Sequence, residues 1–570
     1  MSYGRCNQSR EVRASYELKQ AAAEFYKSRN VPERLEEALN STFYVKPEDV
    51  YGHLANFFAK LSKTPVISEI KGKKVLDGTG KATLEVEVFC TVQNIDKSVC
   101  SSVISACSDL LHHTSANANG FGEEERINSI DVAIEWIKND LSPLLKGISP
   151  NEQLKIDQLL REYFKPKMEE ENTKMRVEKD TEPSPPESTQ TPVASLEKKR
   201  GSGKGKKTAV TEKPIPPEEP HKPAIVGSLA VGGVSLAVAT SGAVINKIPL
   251  YLHISSLKHQ QVPTELVMPT PMISLLSYGK MSPGKLNLMK EVLVIPNTEL
   301  SIQQSVDMVL ALQKQIVKQL DSVSKAGSVI KNVSPLGCLI LACDRVDQPL
   351  ELISEACGHL SLELGTNLHL AINCAAHELI DYNKGKYEIV SGTFKNPDEM
   401  VDLYVDLINI HPSIVALLDP LRKEDRVQWQ RLCIALGSRC YLIGEVATKS
   451  VSELLEIRDI NIPWSSGLAV KHTNETTICD LLEVFRLVEG EKRVSIIGGL
   501  FEESLGDSIA DLAVGLGARF VKLGGLMRGE RTTKYNRLLT IEGELMQNGT
   551  LGRRAQYEFP VFCEDEQGLA

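Results

Sequence analysis

The sequence predicts an α/β protein: a (β/α)8 barrel over 266–570, an α+β domain ahead of it, and a small helical segment at the N-terminus. Three observations carry this. About eight short apolar runs separated by amphipathic helices fill residues 266–555, the arithmetic of a closed barrel. Residues 165–223 hold ten of the 28 Pro and no aromatic residue, so they divide the chain. The remaining length, out of 570 residues, is too great for one ordinary domain.

Composition bounds function before any motif does. Hydrophobic residues make up 42% and charged residues 24%, enough to bury a core. With 65 basic against 74 acidic residues, the net charge of −9 excludes a generally cationic nucleic-acid binder. The twelve Cys show no C-x-x-C pair, so reduced thiols in a cytoplasmic protein are expected rather than a zinc module or disulfide scaffold. The first twenty residues lack an apolar stretch, and no signal peptide is expected. Ala224 to Ile245 is uncharged and long enough to span a bilayer, but four Gly and several Ser and Thr dilute it. A helix packed inside a soluble protein is the expectation, with no membrane partner.

Residues 1–65 read as helix. Ala21, Phe25 and Tyr26 share a face, Pro32 marks a helix start, and Val50, Leu54, Phe57, Phe58 and Leu61 form a helical stripe. So short a helical piece buries little alone, so it is expected to dimerise or dock on a partner. In residues 66–165, Asp77-Gly78-Thr79-Gly80 is turn chemistry and Leu84-Glu85-Val86-Glu87-Val88 alternates as a half-buried strand. Helical pattern follows from about Ile127 to Tyr163, and this α+β domain is completed by 224–265. Residues 166–223 are expected to be a disordered Pro/Lys-rich insert. Its Lys198–Thr208 run lacks the G-x-x-x-x-G-K spacing of a phosphate loop and reads as a solvated linker.

The expected barrel strands start at Glu291, Leu339, Leu368, Ile414, Tyr441, Gly467, Val494 and Phe520. Chemistry in such a barrel sits at strand ends. Glu445 follows Leu442-Ile443-Gly444, Lys471 follows Ala469-Val470, and Lys522 follows Phe520-Val521.

Here the chain resembles the enolase family. Arg528-Gly529-Glu530-Arg531-Thr532-Thr533-Lys534-Tyr535-Asn536-Arg537-Leu538-Leu539 is similar to the family's R-S-E-R-x-x-K-Y-N-x-L-L. Gly232 to Val238 with Pro249 to Ile254, and Asp77 to Glu87, match further family motifs. The resemblance covers about 66–165 and 224–555 and implies an enolase-type barrel. The N-terminal helices and the insert lie outside it, which points to a divergent animal member rather than a glycolytic housekeeping isoform. The helices at 1–65 resemble dimerisation-docking pairs of kinase regulatory subunits and flagellar scaffold proteins.

The resemblance implies dehydration of 2-phosphoglycerate to phosphoenolpyruvate in glycolysis, with Mg2+ and a Lys base. It places Lys471 as the base, Lys522 on the substrate carboxylate, Glu291 on the departing hydroxyl and Ser108 on the mobile substrate loop. The Mg2+ ligands it leaves are Glu445, Asn373 and Asp419. The departures are severe. Asn373 stands where the family has Asp, Leu418 where it has a ligand Glu, and Leu336 where it has a second catalytic Glu. Leu500 and Phe501 replace the Arg and Ser of its phosphate clamp, and the loop histidine falls near Met281.

Removing one preorganised electrostatic group commonly costs about 10²- to 10³-fold, so several such losses erase much of a rate enhancement. Two expectations follow: a phosphopyruvate hydratase with a degraded metal and phosphate site, or a structural protein tethered through 1–65 to a ciliary or flagellar scaffold. The family also implies a homodimer.

Overall fold

The computed structural model describes residues 3–106, 121–181, 215–217, 225–279, 282–323, 332–447, 450–460 and 464–560. The chain divides into two compact units, Met1–Val66 with Cys90–Lys97, and the remainder.

The first unit is built on helices Tyr3–Lys27, Val31–Val45 and Val50–Leu61. Pro32 opens the second helix, and the Asp49 carboxylate caps the third by accepting from the Gly52 N–H at 2.8 Å. Little of their apolar surface is covered: Ala38 is buried, whereas Tyr16, Phe25, Phe43, Tyr44 and Tyr51 are exposed.

Val66–Leu76, Ala82–Val92 and Ile95–Ile104 form a three-stranded sheet, most of whose residues belong to the second unit. The expected alternation holds: Leu84, Val86 and Val88 are buried while Glu85 and Glu87 are partly exposed. The helix Leu229–Asn246, the segment weighed as a membrane span, is mostly buried inside this unit. Its small residues permit close packing. A Cβ on Gly232 would lie 2.4 Å from the Asn474 carbonyl oxygen, and the Gly232 N–H donates to that same oxygen.

The insert departs from expectation at both ends. The helix Gln153–Thr181 runs straight through Pro166. A proline removes one helical hydrogen bond, but Lys167-Met168-Glu169-Glu170-Glu171 beyond it are strong helix formers and carry the helix on. At the other end, the Pro216 carbonyl accepts from Arg422 Nη1 at 3.1 Å. Residues 182–214 and 218–224 lie outside the described residues.

The barrel closes from eight strands: β1 Thr270–Ser277, β2 Glu291–Pro296, β3 Leu368–Asn373, β4 Ile414–Leu418, β5 Tyr441–Gly444, β6 Gly467–Val470, β7 Val494–Gly498 and β8 Phe520–Gly524, with β8 pairing β1. One expectation is corrected. Leu339–Leu341 is not a barrel strand; a two-residue strand, Leu339–Ile340, pairs on the end of β1. The vacant place belongs to β1, which the pattern hid because all eight of its residues are buried and nothing alternates. One strand is reversed: β2 runs antiparallel to both β1 and β3. The barrel interior is packed by Met272, Leu293, Leu418, Tyr441, Ile496 and Phe520 among others. Its floor is closed by the C-terminal segment. The Tyr557 hydroxyl donates to the Pro296 carbonyl at 3.0 Å, and the Tyr441 hydroxyl to the Glu558 carbonyl at 2.7 Å.

Candidate active site at the barrel mouth

The reversed strand explains an oddity of the sequence. Glu291 begins its strand, yet because β2 is antiparallel that start lies beside Asn373, the last residue of β3. Glu291 therefore faces the same mouth as the C-terminal ends of the parallel strands.

Four charged side chains meet there in one chain of contacts. Lys522 Nζ, from within β8, stands 2.7 Å from Glu291 Oε1 and 3.0 Å from Glu445 Oε2. Glu445 Oε1, just past β5, stands 2.9 Å from Lys471 Nζ, just past β6. Glu291 is completed by Asn373 Nδ2 at 2.7 Å and Ser274 Oγ at 2.6 Å. So the structure brings Lys471, Lys522, Glu291, Glu445 and Asn373 together. Ser108 lies outside the described residues, as does Met281.

Burial and charge act in opposition here. Burial pushes the Glu445 carboxyl up, but Lys471 and Lys522 overturn that and hold it far below the usual carboxylate range. Glu291 follows the same logic: burial raises it, while Lys522, the Asn373 amide and the Ser274 hydroxyl bring it below its ordinary value. Burial lowers Lys522, and the Glu291 and Glu445 charges more than compensate, leaving it raised. His472, beside Lys471, is pushed down to about 4 by burial and is neutral at physiological pH.

The three residues expected to hold Mg2+ are each committed elsewhere. The Asp419 carboxylate accepts the backbone N–H groups of Glu445, Val446 and Ala447 at 2.8–3.1 Å. Asp419 itself sits in the left-handed region at φ +45. It anchors the loop that carries Glu445 rather than facing the mouth as a ligand. Asn373 Oδ1 accepts from the Ala375 N–H at 3.2 Å, which turns its NH2 group toward Glu291. The opposite flip would set carbonyl against carboxylate and N–H against N–H. Glu445 has both oxygens in ion pairs. Leu418 is buried in the barrel interior and offers no donor. Among the described residues no group of three or more His, Cys, Asp or Glu is arranged to hold a metal ion. The donor set does not fit a hard dication, which wants about six oxygens at about 2.0–2.1 Å.

The loop past β7, between the strands that lead to Lys471 and Lys522, is built differently. Leu336 and Leu500 are buried and Phe501 is exposed. Their loop is held from behind by Arg531, whose Nη2 donates to the carbonyls of Leu500 and Phe501, each at 2.7 Å, and of Pro335 at 3.2 Å. Glu503 Oε2 accepts from the Leu500 N–H at 3.0 Å. A side chain at Gly499 would make the Glu503 carboxylate shift, since a Cβ there would fall 2.3 Å from Glu503 Oε2. Glu502 is paired with Lys81 and Arg126 of the N-terminal domain, and Arg126 also reaches Asp77 at 2.7 Å.

Sequence reasoning missed Ser274, which lies on the strand that showed no alternation, and the anchoring role of Asp419. Arg531 was visible in the R-x-x-K motif, without a signal for what it holds.

Comparisons with known proteins agree with this architecture. Residues 265–558 match the family described as Enolase, C-terminal TIM barrel domain. The chain is 63% identical to Enolase 4 of Xenopus laevis over 98% of its own length and 97% of the relative's. It is 50% identical to Enolase 4 of Homo sapiens, covering 99% of this chain and 93% of that one. Against Enolase 4 of Danio rerio the identity is 40%, over 98% and 96%.

Proposed function

Because the chain belongs to the enolase family, we propose that its barrel mouth performs the family's glycolytic reaction, dehydration of 2-phosphoglycerate to phosphoenolpyruvate, with low turnover. The observation that supports this is the convergence of two ammonium groups, Lys471 and Lys522, on one carboxylate within 3.0 Å. Lys471, after giving its own proton to solvent, takes the proton alpha to the substrate carboxylate as a neutral amine, and the Lys522 ammonium holds that carboxylate as negative charge builds on it. Glu291 faces the departing hydroxyl.

Three features argue for slow turnover. Glu291 is held ionised by Lys522, so it is a poor proton donor to the leaving hydroxyl. Leu336 supplies no second carboxyl. Glu445 already occupies the two ammonium groups, so a substrate carboxylate competes with it. The family generally uses Mg2+, but the donors here do not suit that ion, and none of these steps depends on it.

The test is phosphoenolpyruvate formation by purified full-length protein, followed by absorbance. Lys471→Ala should lower it by about 10²-fold or more; activity indifferent to that substitution rejects the proposal.

A second reading is favoured by the exposed aromatic residues of the N-terminal helices. In it residues 1–65 tether a cytoplasmic, homodimeric protein to a ciliary or flagellar scaffold. Deleting 1–65 should then abolish partner recovery while the barrel stays folded by circular dichroism. Recovery unchanged by the deletion removes this reading.

A further inference from the structure

We infer that the mouth carries its own counter-ion: the Lys522 ammonium takes the electrostatic place of a divalent cation, and the site holds no tightly bound metal. This rests on reading the mouth as the family's reaction site, though not on turnover there.

The argument is one of charge and donors. Lys522 Nζ lies between two buried carboxylates, 2.7 Å from Glu291 and 3.0 Å from Glu445. With Lys471 on the far oxygen of Glu445, two positive and two negative groups close on one another. A dication would find no uncompensated carboxylate to attract it. It would instead displace an ammonium group from its partners and then sit beside it.

Three further details fix the arrangement. Asn373 turns a donor, not an acceptor, toward Glu291. The oxygens of Asp419 are taken by three backbone N–H groups, so it cannot swing in without releasing the loop at Glu445. Glu445 is one methylene longer than the aspartate of the family motif, and that extra reach lets one carboxylate touch lysines on both β6 and β8.

The experiment is a Mn2+ titration of the chelator-treated full-length protein, with free Mn2+ read from its paramagnetic resonance signal. The native chain should leave the free-ion signal as in buffer. Uptake of one Mn2+ per chain, lost in Glu445→Gln, overturns the proposal. Lys522→Met removes the internal cation and leaves Glu291 and Glu445 with less positive charge. That variant should take up Mn2+ about tenfold or more tightly than the native chain. A folded Lys522→Met that still ignores Mn2+ also counts against the assignment. Should it fail to fold, the native titration decides alone. Because the readout is binding, it is independent of whether phosphoenolpyruvate is formed.

Discussion

In the Lys522 cluster every charge meets an opposite charge within 3.0 Å, whereas the adjoining loop past β7 presents the apolar Leu500 and Phe501 and has its charges buried beneath it. The two neighbouring regions handle charge differently. In the cluster each buried ion has an opposite ion beside it, since an uncompensated buried ion is costly. Under the apolar loop Glu502 pairs with Lys81 and Arg126, and Arg531 pairs with Glu503 and supports the loop from beneath.

The contrast can be broken most forcefully at its centre. Lys522→Met leaves Glu291 and Glu445 buried with only Lys471 to balance them, and should cost about 3–5 kcal/mol, read as a lowered urea midpoint. Beneath the adjoining loop, Arg531→Met strands the carbonyls of Leu500, Phe501 and Pro335. That should cost about 2–3 kcal/mol and loosen the 500–503 loop to proteolysis.

A pH series sharpens the comparison further. The Glu445 and Glu291 carboxyls are depressed in the folded state, so the stability they contribute is present above the unfolded value of about 4.3. It is lost as pH falls through the lower folded values. The raised Lys522 contributes below its unfolded value of about 10.4 and loses that only as pH rises through the higher folded value. Denaturant midpoints should therefore fall steeply below about pH 4, and Glu445→Gln should flatten that fall. An acid limb unchanged in the variant would show that the carboxylate network is not its source. The smallest effect is expected at Phe501→Ser on the apolar loop. Its ring is exposed, so the unfolding free energy should move by no more than about 0.5 kcal/mol.

How much of this was legible in the sequence differs residue by residue. Lys471, Lys522 and Glu445 could be placed because each closely follows a short apolar run that ends at the mouth. Glu291 could be matched by resemblance, but its position made sense only once β2 was seen to run backwards. Asp419 looked like a ligand because type and spacing do not report a left-handed backbone or the three N–H groups that it accepts. Ser274 was invisible because a strand buried on both faces loses the period-two signal. The helix through Pro166 was missed because composition over a long window concealed its first helix-forming residues.

The barrel floor has a consequence for biogenesis. β1 completes its pairing only with β8, and Tyr557 and Phe559 cork the base with the last described stretch of chain. Until β8 has been synthesised, the nascent protein therefore displays a strand destined for complete burial with an open edge, a template for aggregation. A chain cut short just before Tyr557 would leave the base uncorked.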